Sequence, residues 1–178
     1  TTYSIMKRGS VPEKWKGSFL ISGYSAVGGP GAKTFWQDKT GRPSGEACIY
    51  LKPVLESQVE IIVNDSLSRI FTLPADGLLH EIRVRSEIAS LGLAVKSGQV
   101  VGYGVRMVDD SGSCVDNFSV RSNNGHAIFA TDPLLNRQLD DLVGYDMVVL
   151  QYGLNILQDG QQSYQKYSQQ LNDMIVYV

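Results

Sequence analysis

Apolar and polar residues alternate with a period of two through much of the first half of the chain. Val59, Ile61 and Val63 share one face of a run whose other face carries Glu60, and Ile82 and Val84 stand opposite Glu81, Arg83 and Arg85. That period marks strands buried on one side only. The pattern predicts strands at Ser18 to Tyr24, Lys33 to Gln37, Ala47 to Leu51, Val59 to Val63, Ser68 to Leu73, His80 to Val84, Leu91 to Val95 and Val101 to Met107. Turn residues separate them at Gly28-Gly29-Pro30-Gly31, Gly41-Arg42-Pro43, Asn64-Asp65-Ser66 and Ser97-Gly98, the spacing of a sandwich or jelly roll. A sheet with one apolar face needs a second layer, so residues 1–110 are expected to form a jelly-roll-like β-sandwich.

The pattern changes after Asp109-Asp110-Ser111-Gly112. Ser113 to Val120 reads as a strand and S-N-N-G as a loop. Asp132 is then a helix N-cap, with Pro133 at the first helical position and Leu134, Leu135, Leu139 and Leu142 following. Gly144 stops that helix. The run Met147 to Leu150, inside Y-D-M-V-V-L-Q-Y-G-L-N, fits a parallel strand covered on both faces. A second helix is predicted from about Ser163, with Tyr164, Tyr167, Leu171, Met174, Ile175 and Val178 on one stripe. Residues 111–178 are thus expected to supply part of a three-layer α/β core. Two parallel strands cannot cover themselves, and the last helix ends on apolar residues without a glycine cap. The chain is therefore expected to be a segment of a larger protein, with further strands on both sides in sequence. An apolar face left for those strands would also favour self-association of the segment.

Composition narrows the partners. The 178 residues are 43% hydrophobic and 19% charged with 18 glycines, which suits a folded, turn-rich protein. The formal charge of −2 and the lack of a basic run point away from nucleic acid. No apolar stretch is long enough to span a bilayer, and T-T-Y-S-I-M-K lacks the apolar core of a signal peptide, as in a mature chain or one cut from a longer precursor. Cys48 and Cys114 lie far apart without C-x-x-C spacing, which argues against a zinc site. Two buried free thiols are expected, with a disulfide as the alternative. No cofactor or metal is implied.

Candidate chemistry sits at the end of the Met147 to Leu150 run. Ligands of open α/β sheets bind at the carboxyl ends of strands, where Gly153 and Asn155 follow and the Asn155 amide could donate to a developing oxyanion. A strand-end Asn equally serves its own turn. His80, in a charged strand, reads as a surface or packing residue. His126 follows the S-N-N-G loop and is a weak general base without a Ser and an Asp in reach. In the β half, Trp15, Tyr24, Phe35, Trp36 and Tyr50 either fill the core or offer a sugar-stacking platform. Trp36 is the first candidate for an exposed ring and Trp15, between lysines, the second.

The segments V-D-N-F-S-V-R-S-N-N-G (Val115 to Gly125) and D-M-V-V-L-Q-Y-G-L-N (Asp146 to Asn155) resemble the second and third conserved blocks of the SGNH, or GDSL-like, hydrolases. That family uses a Ser from a G-D-S motif and a His from a D-x-x-H motif. Its oxyanion hole combines the Ser backbone, a backbone N–H of the second block and the Asn of the third. The resemblance assigns that Asn to Asn155. The second-block N–H falls on Ser122 counted from Asn117 and on Gly125 counted from the loop end. Neither G-D-S nor D-x-x-H occurs here: Asn64-Asp65-Ser66 and Asp110-Ser111-Gly112 stand in turn contexts. A β-sandwich ahead of these blocks is similar to the bacterial peptidoglycan O-acetylesterases, in which a carbohydrate-binding-module-like jelly roll is inserted between the nucleophile block and the second block. The resemblance implies an exported carbohydrate esterase, periplasmic or secreted, acting on a glycan or acylated carbohydrate. Its Ser and His would lie outside this chain, which alone would be inactive.

Overall fold

The alternating runs become strands, and burial follows their alternation. The computed structural model describes residues 3–7, 24–37, 41–109, 111–118, 128–129, 131–152 and 161–177. Among the described residues nine strands are formed: β1 (Tyr3–Lys7), β2 (Tyr24–Gly28), β3 (Lys33–Gln37), β4 (Ser44–Pro53), β5 (Ser57–Val63), β6 (Leu67–Leu73), β7 (His80–Ile88), β8 (Ser90–Ser97) and β9 (Val100–Val108). They build a five-stranded sheet in the order β1-β2-β9-β4-β7 and a four-stranded sheet in the order β3-β8-β5-β6. Every pairing is antiparallel. The core lies between the two sheets. Ala47, Ile49 and Leu51 of β4, Val59, Ile61 and Val63 of β5, and Leu91, Leu93 and Val95 of β8 meet there. Burying a side chain the size of Ile49 or Leu91 contributes about 1.5–3 kcal/mol, so this seam is the main stabilising feature of the strands. The architecture is the expected β-sandwich.

Two corners lock the layers together. Between β5 and β6, Asn64 and Asp65 adopt left-handed φ values of 51° and 54°, and the Ser66 N–H donates to the Val63 carbonyl at 3.1 Å. This is the primed turn that matches strand twist. The Asn64 side chain then reaches the crossover from β7 to β8: Nδ2 donates to the Glu87 carbonyl at 2.8 Å, and Oδ1 accepts the N–H of Ala89 at 2.8 Å and of Ser90 at 3.0 Å. At the second corner the fully buried Ser57 Oγ accepts the Gln99 N–H at 2.9 Å and donates to the Leu55 carbonyl at 2.6 Å. Gly98 makes that corner possible: its φ is 77°, and an added Cβ would overlap the Glu56 carbonyl and Ser57 Oγ.

Contacts divide the chain into two compact units, the strands together with the segment up to Asp116 forming one, and the part from Asn117 onward belonging to the other. In the second unit, α1 (Pro133–Val143) has the predicted cap. Asp132 accepts the N–H groups of Leu134 and Leu135, Pro133 opens the helix, and left-handed Gly144 closes it by donating to the Asp140 carbonyl at 2.7 Å. Leu135 and Leu139 are buried, while Leu134 is exposed. The second helix, α2 (Gln161–Tyr177), buries Tyr167 and Met174 and leaves Ile175 exposed. Tyr177 ties its end to the approach of α1: its hydroxyl donates to the Thr131 carbonyl at 3.0 Å, and its ring meets Phe129 edge-on at 5.3 Å. No described helix is long and apolar enough to cross a membrane.

Two sequence expectations are corrected, and a third lies mostly outside the described residues. Residues 113–118 and 146–151 are irregular rather than strands, so no parallel strand, helix, strand unit exists among the described residues. Met147, Val148 and Val149 are 77%, 52% and 73% exposed, because an apolar run becomes a buried parallel strand only where neighbouring strands complete its ladder. Cys114 is exposed, and only Cys48 is buried; both are free thiols. The strand placed at Ser18 to Tyr24 falls mostly outside the described residues, and β2 begins at Tyr24.

Candidate functional site

The sandwich is not filled along its whole length. On β2 the inward positions are Ala26 and Gly28, Ala32 stands just before β3, and β9 contributes Gly102 and Gly104. Small inward residues on the neighbouring strands β2 and β9 of one sheet leave space that larger ones would fill. A bulge widens it: β4 pairs Tyr50 with Gly104 and Leu51 with Gly102, so Tyr103 is an extra residue in β9. Gly104 accommodates the kink with a φ of 145°. The result is a cleft of about 300 Å³ between the layers, with Ile49, Leu51, Leu93 and Val95 among its walls. That is the small end of the range for ligand pockets, roughly 300–1,000 Å³.

Aromatic side chains stand beside the cleft. β3 is an edge strand, and its alternation points Thr34 and Trp36 between the layers and Lys33, Phe35 and Gln37 outward. Trp36 is half-buried, packs on the core and lines the cleft together with Tyr103. Phe35 is the exposed ring, at 53%. The expectation that Trp36 presents its face to solvent is thus modified by strand parity: the neighbouring Phe35 occupies the outward position. Thr34 and Tyr103 supply polar groups at the cleft.

The opposite face of β4 carries a polar layer. Glu46, Cys48 and Tyr50 point away from the core, yet Cys48 and Tyr50 are only 2% and 3% exposed. Arg85 Nε donates to Glu46 Oε2 at 2.6 Å, Arg83 pairs with Glu81 at 2.7 Å, and Arg106 pairs with Asp116 at 2.9 Å. The hydrogen bond from Arg85 holds the Glu46 carboxyl below its usual range, against a smaller opposing effect of burial. Burial, reinforced by the nearby Glu81 carboxylate, pushes the Cys48 thiol up to about 11. A thiol held protonated is a poor nucleophile. Burial also raises the Tyr50 phenol, with Arg106 pulling the other way. Burial opposes the charge on Arg106, but hydrogen bonds to Tyr50 and Cys114 and the Asp116 carboxylate prevail and raise its pKa.

No hydrolytic constellation appears among the described residues. His80 Nε2 lies 2.9 Å from Asp76 Oδ1 on a half-buried strand end, in keeping with a packing residue. Asp76 Oδ1 also accepts the Leu78 N–H at 3.0 Å, and this backbone bond leads the lowering of its pKa, with His80 second. The pair fixes the approach to β7. No group of three metal-ligating side chains occurs among the described residues. Asn155, Ser122, Gly125, His126 and Trp15 all lie outside the described residues. The cleft itself escaped the sequence reading, although a signal was present: alternate small residues in A-V-G and G-Y-G mark inward positions that cannot fill a core.

No family model matches the chain, and no curated protein matches it. Among solved structures it is similar to CsCBM6-3 from Clostridium stercorarium, solved in complex with cellobiose, at 10% identity and a TM-score of 0.41, covering 61% of this chain and 83% of that one. A family 6 carbohydrate-binding module studied by binding sub-site dissection gives 8% identity and a TM-score of 0.43, covering 62% and 84%. A family two carbohydrate esterase from Clostridium thermocellum, in complex with cellohexaose, gives 16% identity and a TM-score of 0.38, covering 58% of this chain and 31% of the esterase. These likenesses are remote, and the functional argument rests on the residues of this chain.

Proposed function

We propose that this chain is the β insert and middle portion of an exported SGNH-type carbohydrate esterase that removes an acyl group, such as acetyl, from a cell-wall or other glycan. The supporting observation is one of order along the chain: a complete β-sandwich runs directly into V-D-N-F-S-V-R-S-N-N-G, a capped helix and D-M-V-V-L-Q-Y-G-L-N. On this reading residues 111–178 belong to a split α/β core. The exposed run Met147 to Val149 is then a strand whose partners come from outside the chain. A Ser and a His from outside the chain carry out acyl transfer. Asn155 and the backbone N–H of Ser122 or Gly125 stabilise the tetrahedral oxyanion, and Trp36 and Trp15 contact sugar. In the full-length gene product, Asn155→Ala is expected to lower kcat about 100-fold or more, measured on an acetylated glycan or aryl acetate. An unchanged kcat removes Asn155 from the oxyanion hole.

The cleft favours a second reading, a non-catalytic carbohydrate-binding module. Glycan binding by this chain that is lost in Trp36→Ala, together with a full-length product lacking esterase activity, selects it. Aryl acetate hydrolysis by the 178-residue chain alone contradicts the split-esterase reading, which needs a Ser and His from elsewhere.

A further inference from the structure

Strand parity sets one aromatic ring on the outer face of the four-stranded sheet. Phe35 is exposed there, and Lys33 and Gln37, two residues to either side on the same face of β3, are exposed with it. At a rise of 3.3 Å per residue each stands about 6.6 Å from Phe35 along the strand. Across the ladder Phe35 pairs with Gly92 of β8, and Gly92 with Ile62 of β5. The glycine puts no side chain beside the ring, and Ile62 bounds the step it leaves, since a Cβ on Gly92 would lie 3.4 Å from the Ile62 Cβ. In the next row Lys33 pairs with Ala94 and Ala94 with Glu60, while Lys96 Nζ donates to Glu60 Oε2 at 3.1 Å. The hydrogen bond from Lys96 leads the lowering of the Glu60 pKa, one from Ser68 follows, and the Lys33 charge adds to both. Two ammonium groups therefore share one carboxylate, and the row carries an excess of positive charge.

We infer that Lys33, Phe35 and Gln37 form a binding platform for a glycan bearing carboxylate groups, with one sugar ring stacked on Phe35 and a carboxylate at Lys33. A pyranose presents C–H groups on its faces and hydroxyls around its rim. The faces suit an aromatic ring, and the hydroxyls need polar partners, which the Gln37 amide and the Lys33 ammonium supply. The excess positive charge selects an acidic sugar over a neutral one. It also disfavours a second copy of this chain, whose use of the same face would set like charge against like, and a lysine on the edge strand opposes strand addition at β3. The inference deepens the glycan reading, on which it rests, by adding a stacking ring outside the sandwich and an acidic group on the ligand.

The test is titration calorimetry of the whole chain with two oligosaccharides of equal length, hexagalacturonate and cellohexaose, at low and at high salt. Hexagalacturonate is expected to bind about 2- to 5-fold more tightly at low salt, the range of one exposed ion pair, and to lose that advantage at high salt as the charges are screened. Lys33→Gln is expected to abolish the advantage while leaving cellohexaose unchanged. Phe35→Ala is expected to weaken both ligands about 10-fold or more, the effect of uncovering part of an aromatic side chain. Phe35→Leu keeps aliphatic cover over Gly92 but removes the flat face, so it is expected to weaken both as well; wild-type affinity in that variant overturns the stacking contact. Equal affinities for the two ligands at low salt overturn the carboxylate contact. Binding kept in Phe35→Ala but lost in Trp36→Ala overturns the inference and leaves the glycan reading intact, whereas binding of neither oligosaccharide counts against both. Sedimentation that shows a dimer of this chain abolished by Phe35→Ala assigns the face to self-association and likewise overturns the inference.

Discussion

Asn64 offers the most direct test of how the sandwich is held at its corners. Its side chain makes three hydrogen bonds across the β7 to β8 crossover, to the Glu87 carbonyl and the N–H groups of Ala89 and Ser90, while its backbone holds a φ of 51°. These two contributions are separable by substitution. Asn64→Gly keeps the left-handed conformation but loses the three bonds. At about 0.5–1.5 kcal/mol each, and toward the lower value because the corner is exposed to water, the loss is about 2 kcal/mol. Asn64→Ala loses the same bonds and, unlike Gly, keeps a Cβ in the left-handed region without the local side-chain hydrogen bonding that lets Asn tolerate it, so it is expected to be less stable than Asn64→Gly by about 1–2 kcal/mol. Asn64→Asp keeps both acceptor bonds but turns a carboxylate oxygen toward the Glu87 carbonyl, for an intermediate loss of about 1 kcal/mol. Urea unfolding of the chain, followed by the β signal in far-ultraviolet dichroism, gives the three values from midpoint and slope. The expected order is Ala, then Gly, then Asp, from most to least destabilised. A Gly variant within about 0.5 kcal/mol of wild type, the usual scatter for surface substitutions, refutes the clamp. Equal Ala and Gly values refute the backbone contribution.

Four further outcomes are expected. Gly98→Ala, with a φ of 77° and a Cβ overlapping the Glu56 carbonyl and Ser57 Oγ, destabilises by about 3 kcal/mol or more in the same unfolding assay; a smaller loss means that the corner relaxes freely. Cys114 reacts with a thiol reagent in the native chain at pH 8, whereas Cys48 reacts only on unfolding, as mass spectrometry of the labelled chain will show. The Cys48 thiol ionises near 9.0 when unfolded and near 11 when folded, so its contribution to stability is complete below pH 9 and lost as pH rises through 11; Cys48→Ala should show a shallower alkaline fall, and an unchanged fall assigns the effect elsewhere. On the proposed reading, the amides of residues 147–150 exchange at least about 100-fold more slowly in the full-length gene product than in this chain; equal rates contradict strand pairing there.

The β half was legible because its signals are local. Alternation in V-E-I-I-V and E-I-R-V-R fixes which side of each strand is apolar, and β3 emerges over Lys33–Gln37 as expected. Register and sheet membership were not legible, since pairing β4 with both β7 and β9 depends on partners far away in sequence. The cleft was hidden for the same reason: Gly28 and Gly102 read as turn or strand-weakening residues until the topology sets them on inward positions of neighbouring strands in one sheet. Trp36 was singled out as the first candidate for an exposed ring, but its ring lies half-buried because parity on an edge strand sends Phe35 outward instead. In the second unit the Asp132-Pro133 start and Gly144 stop were readable from capping chemistry alone. The strand expected at Met147 is not formed, because a continuous apolar run records a demand for neighbours rather than their presence.

That distinction bears on the proposed division of labour along the chain. The sandwich meets the needs of its strands internally: the inward side chains of β4, β5 and β8 are covered by one another, and two polar corners close the ends. The described residues from Asn117 onward meet theirs incompletely. Leu135, Leu139, Tyr167 and Met174 find cover, but Met147, Val148 and Val149 remain exposed side by side. Burying three such side chains is worth roughly 1.5–3 kcal/mol each, a sum comparable with the whole stability of a small domain, about 5–15 kcal/mol. In the proposed split core, so much unrealised burial immediately before Gly153 and Asn155 would make docking of partner strands and assembly of the oxyanion site a single event. On the proposed reading, the backbone that carries Asn155 becomes rigid only when the Ser- and His-bearing segments complete the sheet, so ester hydrolysis requires the assembled core, whereas the sandwich can bind its ligand without it.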